Sequence, residues 1–244
     1  MTPPVFVGEP ELLAADRFTL AGAEGRHATT VRRLAPGERV DVTDGAGLLA
    51  RCVVVAARPG ELELSVLERC REPAPACRVA VAQAIVKGDR GELAVELMTE
   101  VGVDVIVPWA AARSVAVWRA DRADKALGRW RSSAREAAKQ SRRVWFPEVT
   151  EQVATGGLVA RVGAASCAVL LDPEAGYRLA DLVLPVEGEI LLVVGPEGGV
   201  SPAETTALTE AGAVPARLGP TILRGSTAGA VAATLVLSGC ARWG

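Results

Sequence analysis

The sequence predicts an α/β protein in which a small β-rich domain precedes a parallel-sheet domain that carries two glycine loops. Three observations lead there. Between residues 39 and 66, short runs alternate polar and apolar side chains and are separated by turn residues, the pattern of short strands in a barrel-like domain. From residue 79 to 107 the period changes to strand, helix, strand, with a crossover long enough for a parallel right-handed unit. From Glu189 to Leu237 a short continuous apolar run ends in one glycine loop, and a second glycine loop follows before a helix of small residues.

Taken in order, Arg39-Val40-Asp41-Val42-Thr43, Arg51-Cys52-Val53-Val54-Val55 and Glu61-Leu62-Glu63-Leu64-Ser65-Val66 are strands, divided by Asp44-Gly45-Ala46-Gly47 and Pro59-Gly60. Ahead of them, His27 to Leu34 reads as a short helix bearing Arg32 and Arg33. These two fit either solvated surface or an RNA contact. Glu72-Pro73-Ala74-Pro75-Ala76 is the linker candidate, which sets domains of 1–73 and 74–244. Val79 to Ile85 is the next strand. Gly91 to Val101 is a helix with Leu93, Leu97 and Val101 in phase, and Val103 to Pro108 is another strand.

Arg129 to Gln140 is alanine-rich and helical in propensity. Its spacing places Arg131, Arg135, Lys139 and Arg142 on one face. Glu136 is the only acid between Lys125 and Arg143, which favours phosphate contacts over an ordinary mixed-charge face. Trp118, Trp130 and Trp145 recur inside amphipathic segments and read as core rather than as base-stacking platforms. Ser166 to Pro173 is a buried strand with a turn. Ile190 to Val194 is the strand that stops at Gly195-Pro196-Glu197-Gly198-Gly199. Ser201-Pro202-Ala203-Glu204 then opens a helix with a capping-box spacing. Leu218 to Arg224 is the second loop, feeding Ser226-Thr227 and a helix to about Gly239. Two glycine loops at strand ends of an α/β unit fit either a ligand crevice or glycines that merely turn the chain. Neither carries GxxxxGK[ST] or GxGxxG, so the known nucleotide fingerprints do not apply.

Composition narrows the chemistry. The chain has 244 residues, is 50% hydrophobic and has a net charge of −2, enough for one or two real cores. No apolar run reaches transmembrane length and MTPPVFVGEPELL is no signal peptide, so a soluble, cytoplasmic protein is expected. Five cysteines without a CxxC pair argue against both a disulfide framework and a structural zinc site, and no metal is expected. His27 is the only histidine, so no histidine triad or histidine metal site is expected. Residues 113–143 carry 10 basic and 3 acidic side chains, a local +7 in an otherwise acidic chain. That is the footprint of a polyanion partner.

GPEGGVSPAE followed by LGPTILRGSTAGAVAA resembles the last two loops of the SPOUT methyltransferases, and the closest match is the RsmE family. HATTVRRLAPGERVDVTDG, QAIVKGD, MTEVGVDVIVPW, ARSVAVW and RWRSSAREAAKQSRRVWFPEV are similar to RsmE segments in the same order, so the resemblance covers nearly the whole chain. It implies a SPOUT-type parallel-sheet domain with a deep trefoil knot, preceded by a PUA-like RNA-binding barrel. It also implies S-adenosylmethionine as methyl donor, uridine N3 of 16S ribosomal RNA in the small subunit as target, and a homodimer formed through the knotted domain.

By the same resemblance Leu171, Gly195, Pro196, Glu197, Gly198, Leu218, Gly219, Ile222, Leu223, Ser226 and Thr227 surround the cofactor. Glu197 either accepts from a ribose hydroxyl or is a turn carboxylate near a helix N-terminus. RNA contact is implied for Arg32, Arg33, Lys87, Arg113, Arg131, Arg135, Lys139, Gln140, Arg142 and Arg143; Gln140 and Arg143 fall on matching positions of the family's EAxxQSxRxxxPE pattern. Arg224 is the catalytic candidate: an arginine stabilises the uracil anion formed when N3 loses its proton. The family pattern near LGPRILRTETA is not kept throughout. Thr221 replaces an arginine, Gly225 a threonine and Ser226 a glutamate. The glutamate would have been a natural proton acceptor, so its loss keeps open a non-catalytic RNA-binding or ribosome-assembly protein on the same fold. A 2′-O-ribose SPOUT enzyme is disfavoured, because that class carries asparagine in its last motif and this chain contains none.

Overall fold

The computed structural model describes residues 2–118 and 120–243; Arg119, counted in the basic segment, lies outside them. The chain divides into two units. The first comprises Met1–Ala74 together with Ala138–Phe146, and the second Pro75–Ala137 with Pro147–Gly244. The return of 138–146 to the first unit was not legible in the sequence.

The first unit runs β1 (Val5–Val7), α1 (Pro10–Ala14), β2 (Arg17–Leu20), α2 (Gly22–Arg26), β3 (Arg39–Thr43), β4 (Leu48–Arg58) and β5 (Glu61–Arg71). The strands form one sheet in the order β1-β3-β4-β5-β2, antiparallel except for the β1–β3 pair. Alternation puts Val40, Val42, Cys52, Val54, Leu62 and Leu64 into a core with Phe6, Leu13 and Phe18. The expected strands are present and two of them are longer than expected, because β4 and β5 extend as a hairpin to Leu48 and Arg71. The expected helix from His27 to Leu34 is different. After α2 the backbone widens into a π-type turn at His27–Val31, and Arg33 takes a left-handed φ of 53°. Residues 138–146 attach to this sheet through Phe146 N–H donating to Gly45 O at 2.8 Å and Gly47 N–H to Val144 O at 3.1 Å.

The second unit runs β6 (Cys77–Ala84), α3 (Arg90–Val101), β7 (Val105–Ala110), α4 (Ala120–Gln140), β8 (Glu148–Val149), β9 (Val153–Ala154), α5 (Thr155–Ala164), β10 (Cys167–Leu171), β11 (Tyr177–Arg178), β12 (Gly188–Val194), α6 (Pro202–Glu210), β13 (Ala213–Arg217) and α7 (Gly225–Gly239). Its sheet has the order β11-β13-β10-β12-β6-β7-β8, with β9 also on β7, and every pairing is parallel. Strands covered on both faces read as continuous apolar runs. Ile190, Leu191, Leu192 and Val193 are fully buried, and successive residues enter opposite cores. On one face α7 lies against α3 so closely that a Cβ on Gly229 would stand 2.8 Å from Met98 Sδ. This close packing accounts for the small-residue sequence of α7. Trp130 is buried and meets Trp118 edge-on at 5.0 Å, as a core assignment requires, whereas Trp145 is half-buried and its Nε1 donates to Glu72 O at 3.2 Å.

Candidate active site at the carboxyl edge of the parallel sheet

Parallel pairing sends every strand of the second unit out at the same edge, so the loops after β6, β7, β10, β12 and β13 emerge together. The chain steps from β6 to β7 in one direction, while β12, on the other side of β6, leads to β13 in the opposite direction. Connections that diverge from neighbouring strands leave a crevice at their carboxyl ends. Here Val194 is in register with Gln83, and Gly195 follows immediately. Gly225, at the start of α7, closes the same place: a Cβ there would lie 3.5 Å from Val86 Cγ1, 3.7 Å from Gly195 O and 3.8 Å from Gln83 Nε2.

The first glycine loop is firmly built. Gly199 N–H donates to Pro196 O at 2.9 Å, and Gly199 has a φ of 72°, a left-handed conformation that glycine adopts without penalty. A Cβ on Gly195 would meet Val200 Cγ2 at 2.7 Å, and one on Gly198 would meet Arg113 O at 3.2 Å. Beyond the loop, the expected capping box is present: Ser201 Oγ accepts from Glu204 N–H, and Glu204 Oε2 accepts from Ser201 N–H at 3.1 Å and from its hydroxyl at 2.7 Å. Glu204 is buried, and its Oε1 takes Ala112 N–H at 2.8 Å and the Thr155 hydroxyl at 2.9 Å. Burial alone would raise this carboxyl, but the hydrogen bonds from Ala112, Ser201 and Thr155 outweigh it and hold Glu204 below the usual carboxylate range.

The second loop is bare by comparison. Gly219 to Leu223 make no hydrogen bond among the described residues, and Ile222 is 83% exposed. A Cβ on Gly219 would meet nothing within 4 Å. Order resumes at Arg224, the N-cap of α7, whose carbonyl accepts from Thr227 and Ala228 N–H, each at 2.9 Å, and from the Thr227 hydroxyl at 3.1 Å. Its side chain is exposed and forms no ion pair among the described residues. Ser226 is buried, so the position where the family pattern has glutamate faces inward here.

Leu171 at the end of β10, the Gly195–Gly198 segment after β12 and Leu218 to Leu223 after β13 therefore leave the sheet at the same edge, and Gly225, between Arg224 and Ser226-Thr227, lies against Gly195. Leu171 is in register with Ala216 of β13, two residues before Leu218. Lys87 and Arg113 join them at this edge, after β6 and β7, and both are exposed. Glu197 stands 4.0 Å from Arg90 of α3. Gln83 was missed in the sequence: it is fully buried, its Nε2 donates to Ala84 O at 3.1 Å, and its Oε1 has no partner among the described residues. A glutamine inside an otherwise apolar strand run was the available signal.

The predicted cationic stripe needs correction. The helix ends at Gln140, and Arg142 lies beyond it with a left-handed φ of 60°. In the second unit, Arg131 is exposed but donates to Val149 O at 3.1 Å and pairs with Glu151 at 2.8 Å; Arg135 is exposed. In the first unit, Lys139 is buried with its ammonium 3.0 Å from Glu24, and Arg142 pairs with the buried Asp41 at 2.6 Å. Burial raises the Asp41 carboxyl although Arg142 and Arg51 oppose the shift. Lys139 thus holds the fold rather than facing solvent. Gln140 is exposed and Arg143 half-buried, while Arg32 and Arg33 are exposed. Among the described residues, no group of three or more histidines, cysteines or carboxylates is placed to hold a metal, and no helix is long and apolar enough to cross a membrane.

Known proteins share this arrangement. An RNA methyltransferase domain family matches residues 72–237, and an RNA methyltransferase PUA domain family matches residues 20–67. Ribosomal RNA small subunit methyltransferase E of Mycobacterium bovis is 51% identical over 226 residues, covering 91% of this chain and 86% of its own. The protein of the same name from Bacillus subtilis is 32% identical over 222 residues, covering 88% and 87%. The crystal structure of the ribosomal RNA small subunit methyltransferase E from Neisseria gonorrhoeae, bound to S-adenosyl methionine, is similar at a TM-score of 0.86 and 25% identity, covering 97% of this chain and 98% of that one. The SPOUT-type parallel sheet and the PUA-like β domain expected from the sequence are the fold. With half its residues shared with one relative and a common fold across almost its entire length, the chain belongs to the ribosomal RNA small subunit methyltransferase E family.

Proposed function

We propose that this chain methylates N3 of a uridine in 16S ribosomal RNA of the small subunit, with S-adenosylmethionine as donor. The observation that carries the reading is the packing of Gly225, at the start of α7, against Gly195 O and Gln83 Nε2 at the ends of β12 and β6, in a member of this family. The residues there fit the cofactor. Gly219 has open space where a side chain would stand, so its backbone admits close approach, and Gln83 Oε1 is a buried acceptor without a partner among the described residues. Leu171, Leu218, Ile222 and Leu223 supply apolar surface for a flat base. Pro196, Glu197, Ser226 and Thr227 border it. When bound, S-adenosylmethionine supplies a methyl group already activated on a sulfonium, so covalent apparatus in the protein is unnecessary.

Arg224 stabilises the uracil anion as N3 loses its proton. Its backbone is fixed at the helix start while its guanidinium stays exposed, which suits a group that must meet an incoming base. Ser226 provides a hydroxyl where the family has glutamate, so no carboxylate at that position takes the proton. Lys87 and Arg113 hold RNA phosphates at the same edge, and Arg32 and Arg33 do so on the PUA-like domain. The homodimer and the knotted path of the last loops belong to this reading too. Exposed Val231, on α7, is apolar surface that a second copy would cover. We place the protein in the cytoplasm, with its ribosomal substrate.

The test is methyl transfer from labelled S-adenosylmethionine to small subunits lacking their own N3-methyluridine. Label recovered as N3-methyluridine supports the proposal. Label on a ribose would replace it with a 2′-O activity. RNA binding without label would leave an RNA-binding or ribosome-assembly protein.

A further inference from the structure

Glu204 does more than cap a helix. In a capping box the carboxylate need only reach back to the N-cap backbone N–H. Here Oε2 alone completes the box with Ser201, while Oε1 turns away from α6 to take Ala112 N–H and the Thr155 hydroxyl. Thr155 in turn accepts from Trp109 Nε1 at 3.3 Å, so the far side of the network is anchored on a fully buried indole. Ala112 precedes Arg113, whose carbonyl packs under Gly198 and whose guanidinium reaches Gly198 O at 3.4 Å. One carboxylate therefore joins the start of α6, directly after the first glycine loop, to the turn that carries Arg113.

The geometry points to Glu204 as a positioning residue that keeps the first glycine loop and the Arg113 turn in one register, so that cofactor affinity and RNA affinity rise and fall together. The inference rests on the reading of these two segments as cofactor and RNA contacts. Its physical core is separable from that reading, because the register exists in the free chain. Glutamine at 204 isolates the effect: its carbonyl can still serve Ser201, but its amide then faces the Ala112 N–H, donor against donor. Alanine at 201 removes both bonds of the Ser201 hydroxyl and leaves the Ala112 contact and the backbone N–H of residue 201 on Oε2.

Two measurements test it in Glu204→Gln and Ser201→Ala. The first is amide hydrogen exchange in the free chain. Glu204→Gln is expected to speed exchange at Ala112 and across Gly198 to Ser201 together, by roughly tenfold, the scale of one hydrogen bond. Ser201→Ala should speed only the latter segment. Faster exchange in one segment alone, or in neither, overturns the inference whatever the protein binds. The second is titration of S-adenosylmethionine and of small-subunit RNA. Glu204→Gln should raise both dissociation constants about tenfold, with kcat at saturation within about threefold of the parent. A merely structural role would lower the amount of active protein and leave both constants unchanged, and that result also overturns it. If the parent binds no S-adenosylmethionine while the two segments still loosen together, the functional proposal fails and the positioning role stands.

Discussion

The two glycine loops at the carboxyl edge of the parallel sheet are held in opposite ways. Gly195 to Gly199 is closed by its own turn, backed by Val200 and Arg113, and followed by a carboxylate that collects four hydrogen bonds. Gly219 to Leu223 makes no hydrogen bond among the described residues and exposes Ile222 almost entirely. Composition does not distinguish them, since both pair glycine with proline. What differs is the surroundings: the first loop follows a central strand and precedes a capped helix, while the second leaves β13, nearer the sheet margin. A loop ordered before binding loses little conformational entropy when a ligand arrives; a bare one is ordered by the ligand or by a partner. In the proposed reaction the ordered loop supplies shape, and the bare loop delivers Arg224.

The sharpest way to break the contrast is Arg224→Ala. If the second loop carries the chemistry, kcat for methyl transfer should fall by about a hundred- to a thousandfold, the cost of losing one preorganised group facing a developing anion. Cofactor affinity should change little. A fall in affinity with kcat preserved would make Arg224 a binding residue and move the chemistry elsewhere.

Paired glycine substitutions sharpen it next. Gly195→Ala forces a Cβ to within 2.7 Å of Val200 Cγ2, so the first loop must shift and S-adenosylmethionine affinity should drop roughly tenfold, as overpacking costs about 1–3 kcal/mol. Gly219→Ala places its methyl in open space in the free chain. There the unfolding free energy should stay within about half a kcal/mol of the parent, as for an ordinary surface change. Calorimetry and urea unfolding read the two quantities. Equal destabilisation by both substitutions would show that the loops are equally built.

The same distinction between committed and uncommitted groups separates the cations. Lys139→Ala breaks a buried ion pair with Glu24 and should cost about 3 kcal/mol of stability. Lys87→Ala should leave stability alone, and Lys87→Ala and Arg113→Ala should each lower the slope of log affinity for RNA against log salt by roughly 0.7. A shallower slope in a folded Lys139 variant would return that lysine to the RNA surface.

Much of this fold was legible because period and punctuation agree. Ile190 to Val194 could only be a buried strand, and Ser201-Pro202-Ala203-Glu204 could only open a helix. Short or weakly patterned elements escaped: β1, β2, α5 and β13 offer three to ten residues with mixed periodicity. The site divided along the same line. Glycine loops announce themselves locally, so their bounds were legible. Partners distant in sequence were not, because nothing in the spacing of Ala112, Thr155 and Glu204 says that they meet. Lys139 shows the opposite failure. Helical spacing gives a face but not what covers it, and Glu24 lies 115 positions away.

The smallest expected effect concerns acid. Hydrogen bonds hold the Glu204 carboxyl below its ordinary value, near 4.3 in an unfolded chain. A group depressed in the folded state binds protons more readily when unfolded, so its contribution is complete above the unfolded value and disappears as pH falls through the folded one. The stability gap between the parent and Glu204→Gln should therefore be constant from about pH 7 to 5 and narrow steadily below about pH 4. Urea midpoints across that range measure it. Hydrogen exchange at the low end localises it: Gly198 to Ser201 should loosen in the parent, while Gly219 to Leu223, which has no such carboxylate, should exchange as it did before. If the second loop loosened in parallel, the two would share a support not visible in their hydrogen bonds, and the contrast between a built loop and a bare one would fail.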